Sequence, residues 1–107
     1  MDERVVIYEV SNDSFSELIN QWTKNRKIPN RLYFTKLNDD LYIGLDNEYG
    51  SCYVEEFDSK DRVLCWLIRS DYSASEINRL IDIKVRKLFD RKHYKIINMD
   101  GEVSHGL

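Results

Sequence analysis

Three segments of alternating apolar and polar residues follow one another between residues 31 and 57, and only short turn sequences separate them. Residues 31–37 (RLYFTKL) end at NDD, residues 41–45 (LYIGL) end at DNEYG, and residues 51–57 (SCYVEEF) follow. Asp, Asn and Gly favour tight turns, and connections this short join antiparallel neighbours. The spacing therefore predicts a three-stranded β-meander.

Alternation along these predicted strands assigns their side chains to two faces of a sheet. One face would be apolar and covered by helices, and it holds Leu32, Phe34, Leu41, Ile43, Leu45, Cys52 and Val54. The other face would carry Tyr33, Tyr42 and Tyr53 as a stripe across neighbouring strands. Thr35 and Glu55 would lie beside this stripe. Turn carboxylates would border it, namely Asp39, Asp40, Asp46 and Glu48.

The segments around the meander predict further strands and helices. Residues 5–10 (VVIYEV) are β-branched and aromatic, which is typical of a strand, and residues 93–99 (HYKIINM) predict another. Ser14 and Glu17 have the spacing of a capping box, and this predicts a helix over residues 14–25. Its apolar face would consist of Phe15, Leu18, Ile19 and Trp22.

Residues 60–69 contain the apolar run VLCWLI, which fits a buried strand as well as a helix. We expect a helix that begins after Ser59, because Asp61 in its first turn would interact favourably with the helix dipole. A second capping-box pattern at Ser73 and Glu76 predicts another helix, which would reach about residue 90.

These segments predict an α+β fold, with a small antiparallel β-meander sheet and about three helices, of which at least two pack on its apolar face. Residues 1–99 would form a single domain, and residues 100–107 a flexible C-terminal tail. No apolar run approaches the roughly 20 residues of a membrane span, and the amino terminus lacks the pattern of a signal peptide. We therefore expect a cytoplasmic protein without membrane contact.

The sequence offers few groups for catalysis or metal binding. A zinc site needs three or four converging ligands, but the chain has only Cys52 and Cys65, which we expect to be reduced and buried, and two histidines, of which His105 lies in the predicted tail. Glu55 and Glu56 are adjacent in a strand, so they would point to opposite faces and could not converge. The chain has no G-x-S-x-G motif, and His93 fits a surface histidine. We expect no enzymatic activity, no cofactor and no metal ion.

One segment carries a resemblance. The pattern Y-I-G-L-D-N-x-x-G-x-C-x-V-E-E-F-x-S over residues 42–59, followed by W-L at residues 66–67, resembles a hairpin–helix unit of small, mostly uncharacterised proteins of low-GC Gram-positive bacteria and their phages. The shared residues are structural: a turn glycine, a helix cap and a core tryptophan. The resemblance implies a lineage and supports a helix over residues 60–69, but it implies no catalytic residue.

Charge is segregated along the chain. Residues 37–61 hold eight carboxylates against one lysine, a balance of −7, whereas residues 84–95 hold six bases against one aspartate, a balance of +5. Such runs are usually solvated faces. If the acidic region is functional, it predicts a basic protein partner. The predicted contact residues are Tyr33, Tyr42, Asp46, Glu48, Tyr53 and Glu55.

The leading hypothesis is a non-enzymatic binding module, encoded by a phage or mobile element, that inhibits a bacterial nucleic-acid-handling or defence protein by occlusion, as anti-CRISPR proteins do. The alternative is a nucleic-acid-binding regulator that uses a basic helix over residues 79–95, although a net charge of −3 disfavours it. Its contact residues would be Arg79, Arg86, Lys87, Arg91 and Lys92. A third hypothesis is a homodimer joined through the tyrosine face, and a fourth is that the tyrosines only stabilise the sheet.

Overall fold

The strands form one sheet, and its centre is the predicted meander. The computed structural model describes residues 5–69, 71–89 and 94–99. Within them the strands are β1 (Val5–Glu9), β2 (Leu32–Asn38), β3 (Leu41–Asp46), β4 (Tyr53–Phe57) and β5 (Tyr94–Asn98), in the spatial order β4-β3-β2-β1-β5. Antiparallel pairing of β2 with β3 and of β3 with β4 confirms the meander.

The sheet as a whole is mixed, so the prediction of a purely antiparallel sheet is wrong. β1 pairs in parallel with β2 on one side and with β5 on the other. A parallel neighbour needs a long crossover connection, and a helix supplies it between β1 and β2. Turn sequences identified the meander because they are local signals. The pairing of β1 with β5 joins opposite ends of the described chain and leaves no such signal.

The described residues hold four helices rather than about three. They are α1 (Asn12–Thr23), α2 (Lys60–Ile68), α3 (Ala74–Arg79) and α4 (Asp82–Phe89). The single helix predicted from Ser73 to about residue 90 is two helices, because Leu80 adopts an extended conformation with ψ of 147°. The capping box between Ser73 and Glu76 is present in both directions.

Serine caps also explain where α1 and α2 begin. Ser11 caps α1 by accepting a hydrogen bond from the Ser14 backbone N–H at 3.1 Å, so the helix begins earlier than the predicted Ser14. Ser59 caps α2 in the same way by accepting from the Arg62 N–H at 3.2 Å. The ambiguous segment of residues 60–69 is therefore helical.

Helices cover both faces of the sheet. On the α1 face, the core consists of Val10, Phe15, Ile28, Tyr33 and Leu45. On the opposite face, which we call the α2 face, a larger core joins the sheet to α2, α3 and α4 and includes Ile7, Leu32, Phe34, Phe57, Val63, Trp66, Ile77 and Val85. Because both faces of β2 are buried along Leu32–Thr35, the meander has no fully solvent-exposed face.

Gly44 of β3 allows α2 to lie close to the sheet. A Cβ atom at this position would lie 2.9 Å from Val63 Cγ2 and 3.0 Å from Trp66 Cζ3. Carbon atoms in van der Waals contact are separated by about 3.5–4.0 Å, so any larger residue would push the helix outwards. The glycine is needed here for space.

Two further predictions concern the C-terminal residues and membrane spans. The predicted tail, residues 100–107, lies outside the described residues. Of the helices that are described, none has the length and apolar character required to cross a membrane.

Candidate functional site

A β-bulge decides which side chains share a face of the meander. It lies between Lys36 and Asn38, next to the turn that joins β2 to β3. Without the bulge, the pairing between β2 and β3 at that turn would continue in the same register and place Tyr33 opposite Asp46. The structure instead places Tyr33 opposite Leu45. A shift of one residue moves every side chain beyond it to the other face.

The predicted stripe of three tyrosines is therefore wrong. Tyr33 lies on the α1 face, whereas Tyr42 and Tyr53 lie on the α2 face. Tyr33 is only 1% exposed, and its hydroxyl donates to the Pro29 carbonyl at 3.1 Å. Burial raises the pKa of this hydroxyl, and the nearby Arg31 guanidinium opposes that effect. Tyr33 is a core residue and cannot contact a partner.

The other residues of the predicted site remain close to one another on the α2 face. Tyr53 lies opposite Asp46, and Glu55 lies opposite Gly44. Tyr53 is 64% exposed, and Glu55 is exposed as well. Tyr42 is half-buried because it packs against the core of this face. The solvent-facing part of the predicted site thus includes the first residues of β4, from Tyr53 to Glu55.

The turn between β3 and β4 holds Glu48 at the surface. Its backbone N–H donates to Asp46 Oδ1 at 3.0 Å, an Asx turn that fixes the chain as it leaves β3. A later turn residue, Gly50, has φ of +84°, a left-handed conformation that suits glycine. The carboxylate of Glu48 therefore projects from an ordered turn.

The strongest candidate for an interaction surface is the β4 edge surface, which consists of Tyr53, Val54, Glu55 and Glu56. All four residues are exposed, while Phe57 at the end of the strand is buried and fixes it to the core. β4 is the last strand on its side of the sheet. Edge strands commonly carry charged residues, proline or a covering segment, which block pairing with other chains. β4 carries neither lysine nor proline, and its charged residues are Glu55 and Glu56, which would oppose an acidic strand and accept a basic one.

Hydrogen bonds indicate which backbone groups of β4 face outwards. The Asn47 N–H donates to the Arg31 carbonyl at 3.0 Å, and hydrogen-bonded positions alternate along an antiparallel strand. In β3, every second residue before Asn47 therefore directs its backbone N–H and C=O to β2, and the residues between them direct theirs to β4. By the register, Val54 and Glu56 then direct their N–H and C=O away from β3. In agreement, Asn78 of α3 donates to the Glu56 carbonyl at 3.2 Å. α3 thus caps one end of the edge.

An acidic groove adjoins the capped end of β4. Its volume is about 310 Å³, and it is lined by Asp40, Leu41, Glu56, Phe57, Asp58 and Asn78. Asp58 pairs with Arg62 Nε at 3.1 Å. In the described part of the chain, the carboxylates of Asp40 and Glu56 have no cationic partner. The groove therefore extends the negative charge of the β4 edge surface.

The structure does not bring the predicted basic residues together on one helix. The predicted helix over residues 79–95 is interrupted: Arg79 lies in the last turn of α3, while Arg86 and Lys87 lie in α4. Arg86 pairs with Asp61 of α2 at 3.4 Å. Two further residues of this site, Arg91 and Lys92, lie outside the described residues.

Lys87 belongs instead to a basic groove, of about 450 Å³, lined by Arg69, Tyr72, Leu80, Lys84, Lys87 and Leu88. Arg69 lies over the Tyr72 ring, 5.5 Å from its centroid, and pairs with Asp71 at 3.4 Å. The described residues supply no acidic partner to Lys84 or Lys87. The cations therefore share the groove with Tyr72, Leu80 and Leu88.

Sequence reasoning missed a third feature, a cleft between the end of α1 and the β3–β4 turn. Its volume is about 460 Å³, and its lining includes Trp22, Arg26, Lys27 and Tyr49. The helical spacing predicts Trp22 on the apolar face of α1. It is 41% exposed and lines the cleft instead of the core. The sequence signal for this cleft was Tyr49, an aromatic residue within the turn DNEYG.

The groups that bear on metal binding and nucleophilic chemistry in the described residues include carboxylates and two free thiols. The described residues contain no group of three or more His, Cys, Asp or Glu side chains that could hold a metal ion. Cys65 is buried and Cys52 is half-buried, and both are free thiols. Burial raises the pKa of the Cys65 thiol to about 11, which disfavours the nucleophilic thiolate. Burial raises the pKa of Cys52 too.

Comparisons of the chain with protein-family models, with curated proteins and with solved structures give no match. Interpretation of the site therefore depends on its own geometry and charge.

Proposed function

We propose that this protein is a non-enzymatic protein-binding module and that the β4 edge surface is its contact region. The observation that carries the proposal is the exposure of Tyr53, Val54, Glu55 and Glu56 on an edge strand. Tyrosine provides a large contact area at low entropic cost and is enriched at interfaces. Open N–H and C=O groups at Val54 could add a strand from the partner, the binding mode known as β-augmentation.

The charge around the edge favours a basic partner. Carboxylates of Asp46 and Glu48 lie at the start of β4, and those of Asp40 and Asp58 lie at its end. Complementary charge would speed association and select the partner, while the apolar contacts of Tyr53 would supply affinity. Proteins that handle nucleic acids carry basic grooves that such a surface would complement. We therefore propose an inhibitor of such a protein, for example a bacterial defence protein, that acts by occlusion in the manner of anti-CRISPR proteins.

A second candidate function is nucleic-acid binding, and the basic groove is the observation that favours it. Arg69, Lys84 and Lys87 line this groove together with Tyr72, Leu80 and Leu88, a combination that suits phosphate contacts beside a stacked base. Arg79 and Arg86, which the sequence predicts as contacts, do not line this groove. Self-association is a third candidate, in which the β4 edges of two copies would pair, because β4 is the last strand on its side of the sheet.

Capture from a lysate distinguishes these functions. Tagged chain would be mixed with nuclease-treated lysate of a low-GC bacterium at low and high salt. We expect one stoichiometric protein whose binding is weakened by salt. Glu55→Lys should abolish capture, whereas Glu17→Lys on α1, which changes the net charge equally, should not. Equal capture by both variants would contradict the proposal.

Two further results would favour the other candidates. Nucleic acid recovered from untreated lysate, without a protein, would support the basic groove, and Lys84→Glu with Lys87→Glu should then remove it. A mass of twice the chain in light scattering, lost on Val54→Pro, would support self-association through β4.

A further inference from the structure

The cleft between α1 and the β3–β4 turn has the chemistry of a small-molecule site. Its volume of about 460 Å³ falls within the range of about 300–1,000 Å³ that is usual for ligand sites. The residues that line it are Trp22, Asn25, Arg26, Lys27, Ile28, Asn30, Asn47, Tyr49 and Gly50. None of the described lining residues is acidic, although the whole chain has a net charge of −3. The cleft is lined by residues of the β3–β4 turn and of the segment that follows α1, and by none of the residues of β4.

One wall of the cleft is the end of α1, which closes in a Schellman motif. Asn25 adopts the left-handed conformation with φ of 59°, and its N–H donates to the Trp22 carbonyl at 3.0 Å. The Arg26 N–H donates to the Gln21 carbonyl at 2.9 Å. These bonds satisfy carbonyls at the C-terminal end of the helix, whose dipole favours cations, so an anion in the cleft would have to be held by the side chains of Arg26 and Lys27. The same bonds also fix the backbone positions of Trp22 and Arg26.

The floor of the cleft is held by Asn47, which is buried. Its side-chain amide donates to the carbonyls of Ile28 at 3.3 Å and Pro29 at 3.1 Å, and its Oδ1 accepts from the Cys52 N–H at 3.1 Å. These bonds engage both ends of the amide, so Asn47 ties the loop after α1 to the hairpin turn and does not contact a ligand. The cleft is therefore preformed.

Two large aromatic residues are left exposed at this cleft. Trp22 is 41% exposed and Tyr49 is 86% exposed. Burying either ring would be favourable by itself, so exposure of both beside one cleft indicates planar surfaces available for stacking. Stacking on aromatic side chains is the usual way in which proteins hold nucleobases.

Two cations complete the cleft. Arg26 and Lys27 closely follow α1, and neither forms an ion pair with any residue in the described ranges. Cations of this kind bind phosphate groups. A neutral sugar would use the aromatic rings and the amides of Asn25 and Asn30, but it would leave both cations without a function. A base that carries a phosphate uses all of these groups.

We propose that this cleft binds a nucleotide, with the base stacked on Trp22 and Tyr49 and the phosphate held by Arg26 and Lys27. The nucleotide is either free or part of a single strand, because both present the same chemistry. This site goes beyond the protein-binding surface and does not depend on it.

Tryptophan fluorescence provides a direct test. The chain has two tryptophans, and Trp66 is buried while Trp22 lines the cleft. The four nucleoside 5′-monophosphates would be titrated, together with the matching nucleosides and inorganic phosphate. We expect saturable quenching by at least one monophosphate at millimolar concentration or below, and binding at least about tenfold weaker for its nucleoside. Inorganic phosphate should compete without quenching.

Variants separate the roles of the residues. Arg26→Ala with Lys27→Ala should weaken the monophosphate about tenfold or more and leave the nucleoside unchanged. Tyr49→Ala should weaken both ligands, and Lys24→Ala, outside the cleft lining, should change neither. Trp22→Phe should remove the fluorescence signal, and calorimetry would then measure binding.

Each outcome of these titrations supports or overturns the proposed nucleotide site. Tighter binding of a short oligonucleotide than of its monophosphate assigns the site to single strands, and equal binding assigns it to free nucleotides. Absence of saturable quenching by all four monophosphates overturns the proposal, as does binding that the Arg26 and Lys27 substitutions leave unchanged. Glu55→Lys should bind the nucleotide normally, so failure of the protein-binding proposal would leave this one standing.

Discussion

At the scale of single residues, Gly44 determines how closely α2 approaches the sheet. We expect Gly44→Ala to lower the free energy of unfolding by about 1–3 kcal/mol, because the added methyl group would overlap with Val63 and Trp66. Val63→Ala removes the nearer contact atom. The double variant should therefore lose less stability than the sum of the single variants, as measured by denaturant unfolding.

Gly50→Ala is the matched control for this cycle. Apart from its two chain neighbours, no residue has an atom within 4 Å of the position that its methyl group would occupy, so its cost arises from φ of +84° and should not depend on Val63. Strictly additive losses for Gly44→Ala and Val63→Ala would contradict the steric explanation.

The two thiols should differ in reactivity. Cys65 is fully buried with its pKa raised to about 11, whereas Cys52 is half-buried. At about pH 8 an alkylating reagent should modify Cys52 in the folded protein and Cys65 only as fast as the chain unfolds. Mass spectrometry of the modified peptides measures both rates. Equal rates for the two thiols in the native protein would contradict the burial of Cys65.

The raised pKa of Cys65 also makes the free energy of unfolding depend on pH. In the unfolded chain the Cys65 thiol ionises near its ordinary pKa of 9.0, but in the folded protein it stays neutral up to about 11. The unfolded state therefore gains stability from ionisation as the pH rises from about 9 to 11, and the free energy of unfolding falls. Cys65→Ala should reduce this fall in denaturant unfolding, although Tyr33, whose pKa is also raised, contributes in the same direction at higher pH.

At the scale of elements, Arg62 joins α2 to α3 and α4. It is only 8% exposed, and it donates to the Ile77 carbonyl at 2.6 Å and to Asp82 Oδ1 at 2.9 Å. Lysine cannot reach these groups and Asp58 together. We expect Arg62→Lys to cost about 2–4 kcal/mol, measured by chemical unfolding. Arg86→Lys, at an exposed ion pair, should cost at most about 0.5 kcal/mol. Similar losses for both would contradict this role of Arg62.

The elements also show how far the sequence allows prediction. Local signals predicted the meander, the cap of α3 and the helix over residues 60–69, because turns and caps are set by neighbouring residues. The bulge beside Leu37 left no such signal, since either register would place apolar residues on both sides of β2. That single shift moved Tyr33 from the predicted site into the core.

At the scale of the whole molecule, pairing between β1 and β5 extends the sheet on one side and leaves β4 as the edge on the other. This topology depends on contacts between distant segments, so the sequence did not reveal that β4 is an edge strand. The acidic composition of residues 37–61 was visible in the sequence. Only the structure shows that part of this charge surrounds an edge with exposed tyrosine.

The most direct test of β4 as the binding surface is amide hydrogen exchange of the protein alone and with its captured partner. We expect the Val54 and Glu56 amides to exchange readily in the free protein and to become protected in the complex, because their N–H groups face away from β3. The amides of α4 should be unchanged. Protection confined to Lys84–Lys87, with no change along β4, would contradict the assignment of β4 as the binding surface.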